Sequence, residues 1–174
     1  IIKKVKKKNL KDKKMNSKNK LIMNIAKPDD FENVWEVFKK NRNYLGHIMK
    51  AKIKSRLEEK NVVFEDGVVI TFHISKVKAK LGRDTNVDIK RGDCVLHQIG
   101  SLNKGYGNGT KVLKRFLNYV NTNVYLSVLE DNENAIRFYE KAGMFKIGYI
   151  NWSGGKMKGL VYKFNMTSSN KQAK

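Results

Sequence analysis

Alternating apolar and polar positions along the chain predict short strands and amphipathic helices. Residues 21–26 are apolar enough for a strand that Pro28 ends, and Asp29 or Asp30 can cap the next helix. Apolar residues at helical spacing then predict two helices, the second over residues 45–59. The predicted core positions are Phe31, Val34, Trp35 and Phe38 in the first helix and Met49, Ile53 and Leu57 in the second.

A hairpin is predicted where two β-rich runs, residues 61–64 and 68–74, flank an Asp-Gly turn. The polar residues 76–91 show neither the apolar spacing of a helix nor the alternation of a strand, and we expect a loop beside a strand edge there. Residues 94–99 predict the next strand. Strict alternation places Val95 and His97 on one face of this strand and Leu96 and Gln98 on the other.

The second half of the chain predicts helix, strand, helix and two strands. The first of these helices has one apolar side, formed by Val112, Leu113, Phe116, Leu117 and Val120. A strand over residues 123–129 precedes a short helix over residues 132–142, which Gly143 ends as a left-handed C-cap. Strands over residues 145–152 and 158–164 flank a Gly-Gly turn. The order β-α-α-β-β-β-α-β-α-β-β predicts an α/β fold, with a mixed, mostly antiparallel central sheet flanked by helices.

Composition divides the chain into three parts. Its 174 residues, 40% of them hydrophobic, suit one domain with an apolar core. Residues 1–20 hold ten lysines against one acid, Asp12, and are predicted to be a disordered basic arm. Residues 21–166 form the predicted domain, and residues 167–174 form a polar tail.

The net charge of +21 leaves two interpretations open, a merely solvated basic surface or an acidic partner such as nucleic acid. The single cysteine, Cys94, excludes a disulfide framework. We predict no metal site, because no group of His, Cys and carboxylates has metal-ligand spacing. No apolar run reaches about 18 residues, so we expect no membrane association and a cytoplasmic protein.

The segment Lys104-Gly105-Tyr106-Gly107-Asn108-Gly109 lies between a predicted strand and a predicted helix. Glycine lets the backbone approach a ligand, and a helix N-terminus presents free N–H groups with partial positive charge. Together these features suit a pyrophosphate. The glycine spacing matches neither the dinucleotide fingerprint G-x-G-x-x-G nor the P-loop G-x-x-x-x-G-K.

Two motifs resemble the GNAT superfamily of N-acetyltransferases. Lys104-x-x-Gly107-x-Gly109 is similar to the family's acyl-CoA pyrophosphate loop, in which Arg or Gln usually holds the first position. Asn132-x-x-Ala135-x-x-x-Tyr139-x-x-x-Gly143 is similar to a second GNAT segment. The resemblance covers residues 21–164, is most specific over residues 95–145, and implies the GNAT fold with acetyl-CoA as cosubstrate.

The resemblance also implies roles for individual residues. The strand end that binds the pantetheine arm through its backbone matches Ile99, Gly100 and Ser101. The loop that donates N–H groups to the pyrophosphate matches Lys104, Gly105, Gly107, Asn108, Gly109 and Thr110. Asn132 matches an asparagine that bonds the cofactor, and its structural alternative is a helix N-cap. Tyr139 matches a tyrosine that protonates the leaving thiolate, and its structural alternative is a core position.

The general base departs from the family pattern. Many GNAT enzymes carry a glutamate on the strand before the loop, whereas residues 94–99 contain no carboxylate. His97 is the titratable imidazole on that strand and is our candidate base. His73, Glu65 and Asp93 are weaker candidates, and loss of the proton to water is a further alternative.

The implied function is acetyl-CoA-dependent N-acetylation, by direct transfer in a ternary complex to an amine of a small molecule or a protein. We expect a monomer or a homodimer, and no acyl-enzyme on Cys94. Two other functions remain open. One is modification of a DNA base, as in some phage proteins of this fold, and the other is CoA binding without catalysis.

Overall fold

The computed structural model describes residues 22–166, so Leu21, the basic arm and the polar tail lie outside the described residues. The elements in chain order are α1 Phe31–Lys40, α2 Arg42–Leu45, α3 Lys50–Glu58, β1 Val62–Glu65, β2 Val68–Ile74, β3 Ala79–Lys80, β4 Asp84–Thr85, β5 Asp88–Ile89, β6 Cys94–Ser101, α4 Asn108–Val120, β7 Val124–Leu129, α5 Glu133–Lys141, β8 Phe145–Trp152 and β9 Met157–Phe164. Short 3-10 turns precede α1 and join β8 to β9.

Seven strands form one sheet in the order β1-β2-β6-β7-β9-β8-β4, and β3 pairs with β5 beside it. All neighbours in the large sheet are antiparallel except β6 and β7, which are parallel. A parallel pair needs a crossover connection, and α4 supplies it. The predicted mixed, mostly antiparallel sheet flanked by helices is therefore confirmed.

Helices cover both faces of the sheet. The apolar stripe of α4 packs with α5 on one face, and its fully buried side chains are Val112, Leu113, Phe116 and Leu117. On the other face α1 and α3 cover β1 and β2, through Val34, Val37, Phe38, Ile53 and Leu57. We call the first the α4–α5 face and the second the α1–α3 face.

The predicted first strand is wrong in the part that the structure describes. Residues 22–26 contribute one isolated bridge, between Ile25 and Val63. Ala26 N donates to Val62 O at 2.9 Å, but a 3-10 turn begins two residues later, at Pro28. Because proline has no N–H to donate and already belongs to the turn, the paired run stays too short for a strand.

The predicted single helix over residues 45–59 is also wrong. α2 ends at Leu45, the chain turns through Gly46, and α3 begins at Lys50. Glycine is among the poorest helix formers, which explains the break. Met49 has extended backbone angles and is 72% exposed, so it does not share the buried face of Ile53 and Leu57.

Residues 76–91 follow the sheet edge, as expected, and also contribute to a core. The short strand β4 forms the edge of the large sheet beside β8, and Thr85 Oγ1 donates to Tyr149 O at 2.6 Å. Val87 and Ile89 are buried in a third apolar cluster with Val95 and Val161. Sequence periodicity missed this contribution, because the apolar residues are isolated among polar ones.

The burial of Leu113 generates a stability prediction. Leu113 is 0% exposed beneath the sheet, whereas its neighbour Lys114 is exposed. Leu113→Ala should lower the free energy of unfolding by about 2–5 kcal/mol, since it leaves a cavity under the crossover helix. Lys114→Ala should change it by less than about 0.5 kcal/mol. Urea unfolding measures both, and equal effects would contradict the described packing of α4.

Candidate active site

The sheet opens between its two parallel strands. β6 and β7 pair only at Cys94–Val124 and Val95–Tyr125. Beyond Val95, β6 remains paired with β2 as far as Ser101, whereas no further pair joins it to β7 in the described residues. The polar backbone groups of β6 that point toward β7 therefore lack a ladder partner, and this internal edge can accept an added extended segment.

The end of β6 is fixed by α1 and α2. Asn41, which is buried, donates from Nδ2 to Ser101 O at 3.0 Å and to Val37 O at 2.8 Å. A Cβ at Gly100 would lie 3.1 Å from Val37 and 3.2 Å from Leu45. Glycine at this position therefore permits the close approach. Sequence reasoning missed Asn41, because its partner is 60 residues away along the chain.

The glycine loop has the geometry of an anion site. Gly105 and Gly107 have φ values of 87° and 77°, which glycine adopts without strain, and a Cβ on either would meet nothing within 4 Å. The first α4 backbone bond is from Lys111 N to Gly107 O, at 3.1 Å. The N–H groups of residues 108–110 therefore precede the hydrogen-bonded part of the helix and remain at its positive end.

Polar contacts anchor the start of α4 to the β1–β2 turn. Asn108 Nδ2 donates to Asp66 O at 3.3 Å, Lys111 pairs with the Asp66 carboxylate at 3.7 Å, and Arg115 pairs with Glu65. Lys104 makes no ion pair within residues 22–166, and its Nζ lies 5.7 Å from the centroid of the Tyr44 ring. Lys104 is thus the cation of the loop that is left for an external anion.

Asn132 caps the helix that carries Tyr139. Its Oδ1 accepts from Ala135 N at 3.2 Å, which leaves the Nδ2 group for another acceptor. The N-cap alternative is therefore realised, and it is compatible with a ligand contact. A Cβ at Gly109 would lie 3.4 Å from the Phe138 ring, so the glycine loop and α5 are in contact.

Tyr139 lies in the core of the α4–α5 face, where it is 8% exposed. Burial raises the pKa of its phenol to about 12. The hydroxyl is therefore protonated at neutral pH, as an unperturbed phenol also is, and burial makes it a weaker acid than that phenol. The core position considered from the sequence is also realised, because the ring packs 5.4 Å from that of Phe138.

A β-bulge turns His97 and Gln98 to the same side of the sheet. Thr71 is opposite Gln98, whereas the next residue, Phe72, is opposite Leu96, so β6 contains one extra residue here. Thr71 Oγ1 donates to Gln98 Oε1, and the His97 ring stacks on the His73 ring. The expected strict alternation is therefore wrong at Gln98, which shares the α1–α3 face with His97.

The two imidazoles form a hydrogen-bonded pair next to a buried cation. His73 Nδ1 lies 2.7 Å from His97 Nε2, and Arg56 of α3 donates from Nη1 to Phe72 O at 3.0 Å. Burial, followed by the charge of Arg56, lowers the pKa of His97 to about 3 and also lowers that of His73. Both rings are therefore neutral at pH 7. The sequence singled out both histidines but not Arg56.

Cys94 is fully buried at the start of β6. Burial, followed by the charge of Asp93, raises the pKa of its thiol to about 12. A protonated, inaccessible thiol is a poor nucleophile.

Comparisons with known proteins identify the fold of the chain. No family model and no curated protein sequence matches the chain. Solved structures do match. A GNAT-family acetyltransferase from Bacillus cereus ATCC 10987 has a TM-score of 0.60 and 14% identity, with 84% of this chain and 97% of that chain covered.

Two further structures match over 84% of this chain and 94% of theirs, each with a TM-score of 0.60. They are the ribosomal-protein-S18-alanine N-acetyltransferase from Escherichia coli, at 12% identity, and yncA from Salmonella typhimurium with its cofactor acetyl-CoA, at 13% identity. The protein therefore has the GNAT acetyltransferase fold. At these identities the likeness establishes the fold alone.

Two absences hold for the described range. No helix within residues 22–166 combines the length and apolarity needed to cross a bilayer. The same range contains no group of three His, Cys, Asp or Glu side chains placed to hold a metal ion.

The low pKa of His97 generates a pH-dependent prediction. As pH falls below about 6.5, the unfolded chain binds a proton at this histidine that the folded protein does not take up until about pH 3. Folding stability is therefore lost on acidification. Between pH 7 and pH 5 the unmodified protein should lose about 2 kcal/mol more unfolding free energy than His97→Gln. Parallel stability curves would show that His97 is not desolvated.

Proposed function

We propose that the protein is an N-acetyltransferase that takes acetyl-CoA as donor and transfers the acetyl group directly to an amine. The opening between β6 and β7 supports this most strongly, since it leads to a glycine loop at the N-terminus of α4. The strand β6 offers an unpaired edge, and the N-terminus of α4 offers free N–H groups. A ligand with an extended amide chain attached to a pyrophosphate matches both.

In this proposal the backbone binds the cofactor. The β6 edge at Ile99, Gly100 and Ser101 pairs with the pantetheine arm. The N–H groups of residues 105–110 bind the pyrophosphate, with Lys104 beside them. The open space at Gly105 and Gly107 supports this role, because side chains there would narrow the approach. Asn132 contributes its Nδ2 group near the thioester end.

The proposed acid is Tyr139. When the amine nitrogen forms its bond to the acetyl carbonyl carbon and the carbon–sulfur bond breaks, the sulfur leaves as a thiolate. The Tyr139 phenol can donate a hydrogen bond to that sulfur and pass its proton to it as the negative charge develops. The cofactor supplies an activated acetyl group, and the protein supplies position and protons.

The proposed base is His97, acting through His73. In the tautomer in which His97 Nε2–H donates to His73 Nδ1, the His97 Nδ1 lone pair is free to take the amine proton. The low pKa of His97 means that it does not keep this proton. The proton on Nε2 then passes to His73, which is less buried and releases one to solvent. Burial makes His97 a weak base, so the proposed relay is supported by the hydrogen bond between the two rings and not by their pKa values.

Mass spectrometry tests the proposed reaction. The full chain is incubated with acetyl-CoA and a panel of small amines, peptides and oligonucleotides, and both acetylated product and free CoA thiol are measured. We expect acetyl transfer to at least one amine. Modification of a nucleobase would instead support the DNA alternative, whereas CoA binding without any transfer would support the non-catalytic alternative.

The glycine loop generates a binding prediction with a matched control. Gly107 and Gly154 both have positive φ, and a Cβ on either would meet no neighbour. Gly107→Val and Gly154→Val should therefore strain the backbone similarly. Acetyl-CoA should raise the melting temperature of the unmodified protein and of Gly154→Val, and Gly107→Val should lose most of the shift. Equal shifts in both variants would exclude the loop as the cofactor site.

The role of Tyr139 generates a kinetic prediction. Tyr139→Phe should lower kcat by at least about tenfold and change the CoA dissociation constant by less than about twofold, since only the acid is lost. Tyr162→Phe is the control, because Tyr162 is buried in the same core and its hydroxyl bonds Glu140 at 2.9 Å. If Tyr139→Phe lowers binding and turnover together, or affects neither, Tyr139 is structural.

A further inference from the structure

The positive charge of the described chain is concentrated in one stretch. Residues 22–166 carry a net charge of +10, which is the total of +21 less +9 for residues 1–21 and +2 for residues 167–174. Residues 39–57 contain seven Lys and Arg and no Asp or Glu, so this stretch accounts for +7 of the +10. It comprises the end of α1, α2 and most of α3.

Most of these cations are exposed and lack a carboxylate partner. Lys39 pairs with Glu36, and Arg56 is buried. The other five are exposed and make no ion pair with any residue from 22 to 166, and they are Lys40, Arg42, Lys50, Lys52 and Lys54. We give the name basic helical face to Lys50 and Lys54 of α3, the Phe31 and Trp35 rings of α1 over which they lie, and Tyr44 of the intervening α2.

Aromatic rings alternate with the cations on the basic helical face. Phe31 and Trp35 are half-buried on α1, and their rings stack with centroids 6.2 Å apart. Lys50 lies 5.6 Å above the Trp35 ring, and Lys54 lies 4.9 Å above the Phe31 ring. The two aromatic residues of α1 and the two lysines of α3 are each four residues apart, or about 6 Å along the helix, and they form two neighbouring pairs.

The basic helical face reaches the glycine loop. Tyr44 of α2 is 54% exposed, and the Lys104 side chain lies over its ring at 5.7 Å. Met49, next to Lys50, is 72% exposed. The face therefore combines unpaired cations with two exposed side chains, Tyr44 and Met49, and with the half-buried rings of Phe31 and Trp35 beneath the lysines.

We propose that the basic helical face binds single-stranded nucleic acid. Its lysines can pair with backbone phosphates, and the exposed Tyr44 ring offers a stacking surface for a base. A duplex would hide its base faces, so it could use the lysines but not the rings. An acidic polypeptide would likewise pair with the lysines and leave the Tyr44 ring without a base to stack on. The proposal is independent of acyl transfer, because binding needs no acetyl-CoA.

Fluorescence anisotropy of a labelled single-stranded oligonucleotide with the full chain tests this proposal. Lys50→Gln combined with Lys54→Gln should weaken binding about tenfold and reduce the slope of log affinity against log salt by about 1.4, or 0.7 for each lost phosphate contact. The control combines Lys141→Gln with Lys146→Gln, two exposed lysines outside this face. This control has the same net charge as the Lys50→Gln, Lys54→Gln variant, and both variants retain the lysines of residues 1–20. The control should bind the oligonucleotide within about twofold of the unmodified protein.

A third variant, Tyr44→Ala, separates stacking from charge. It should weaken oligonucleotide binding and leave the salt slope unchanged, because the lost contact carries no counterion. Equal losses in the two lysine variants, or no binding at all, would overturn the proposal. Equal affinity for a duplex would exclude the single strand as the preferred ligand. Competition by polyglutamate as strong as by the oligonucleotide would assign the face to an acidic polypeptide.

Discussion

The divergence of β6 from β7 is the constraint on which the rest of the site depends. The two strands share only the pairs Cys94–Val124 and Val95–Tyr125. Polar backbone groups that leave water without gaining a partner lower stability by roughly as much as a lost hydrogen bond. An opening inside a sheet is therefore tolerated where water or a ligand completes it. The crossover through α4 then brings a helix N-terminus to this opening. The unpaired strand edge and the free N–H groups therefore both result from the β6–α4–β7 connection.

Burial sets the protonation of both proposed proton-transfer groups. Desolvation disfavours the charged form of any group, so it raises the pKa of the Tyr139 phenol and lowers that of the His97 imidazole. Tyr139 belongs to the α4–α5 face, whereas His97 lies on the α1–α3 face, beside Arg56. The proposed acid and the proposed base are thus both neutral at pH 7 and lie on opposite faces of the sheet.

The sequence predicted the features that local pattern determines. The apolar stripe of α4, the hairpin around Asp66-Gly67 and the glycine loop each depend on residues a few positions apart, so periodicity and turn chemistry identify them. Long-range contacts were not accessible in this way. The bulge at His97 depends on pairing with β2. Arg56 and Asn41 donate hydrogen bonds to backbone carbonyls of β2 and β6, which come close to them only in the folded chain. Gly46 broke a helix whose apolar spacing was otherwise regular.

The use of the β6 edge and the glycine loop by one ligand is tested most directly by amide chemical shifts. Coenzyme A is titrated into isotope-labelled protein, and backbone N–H shifts are followed residue by residue. The largest changes should occur at residues 99–101 and 105–110, since these groups gain hydrogen-bond partners. Shifts confined to the basic helical face, or no saturable shifts at all, would contradict the assignment of this site to the cofactor.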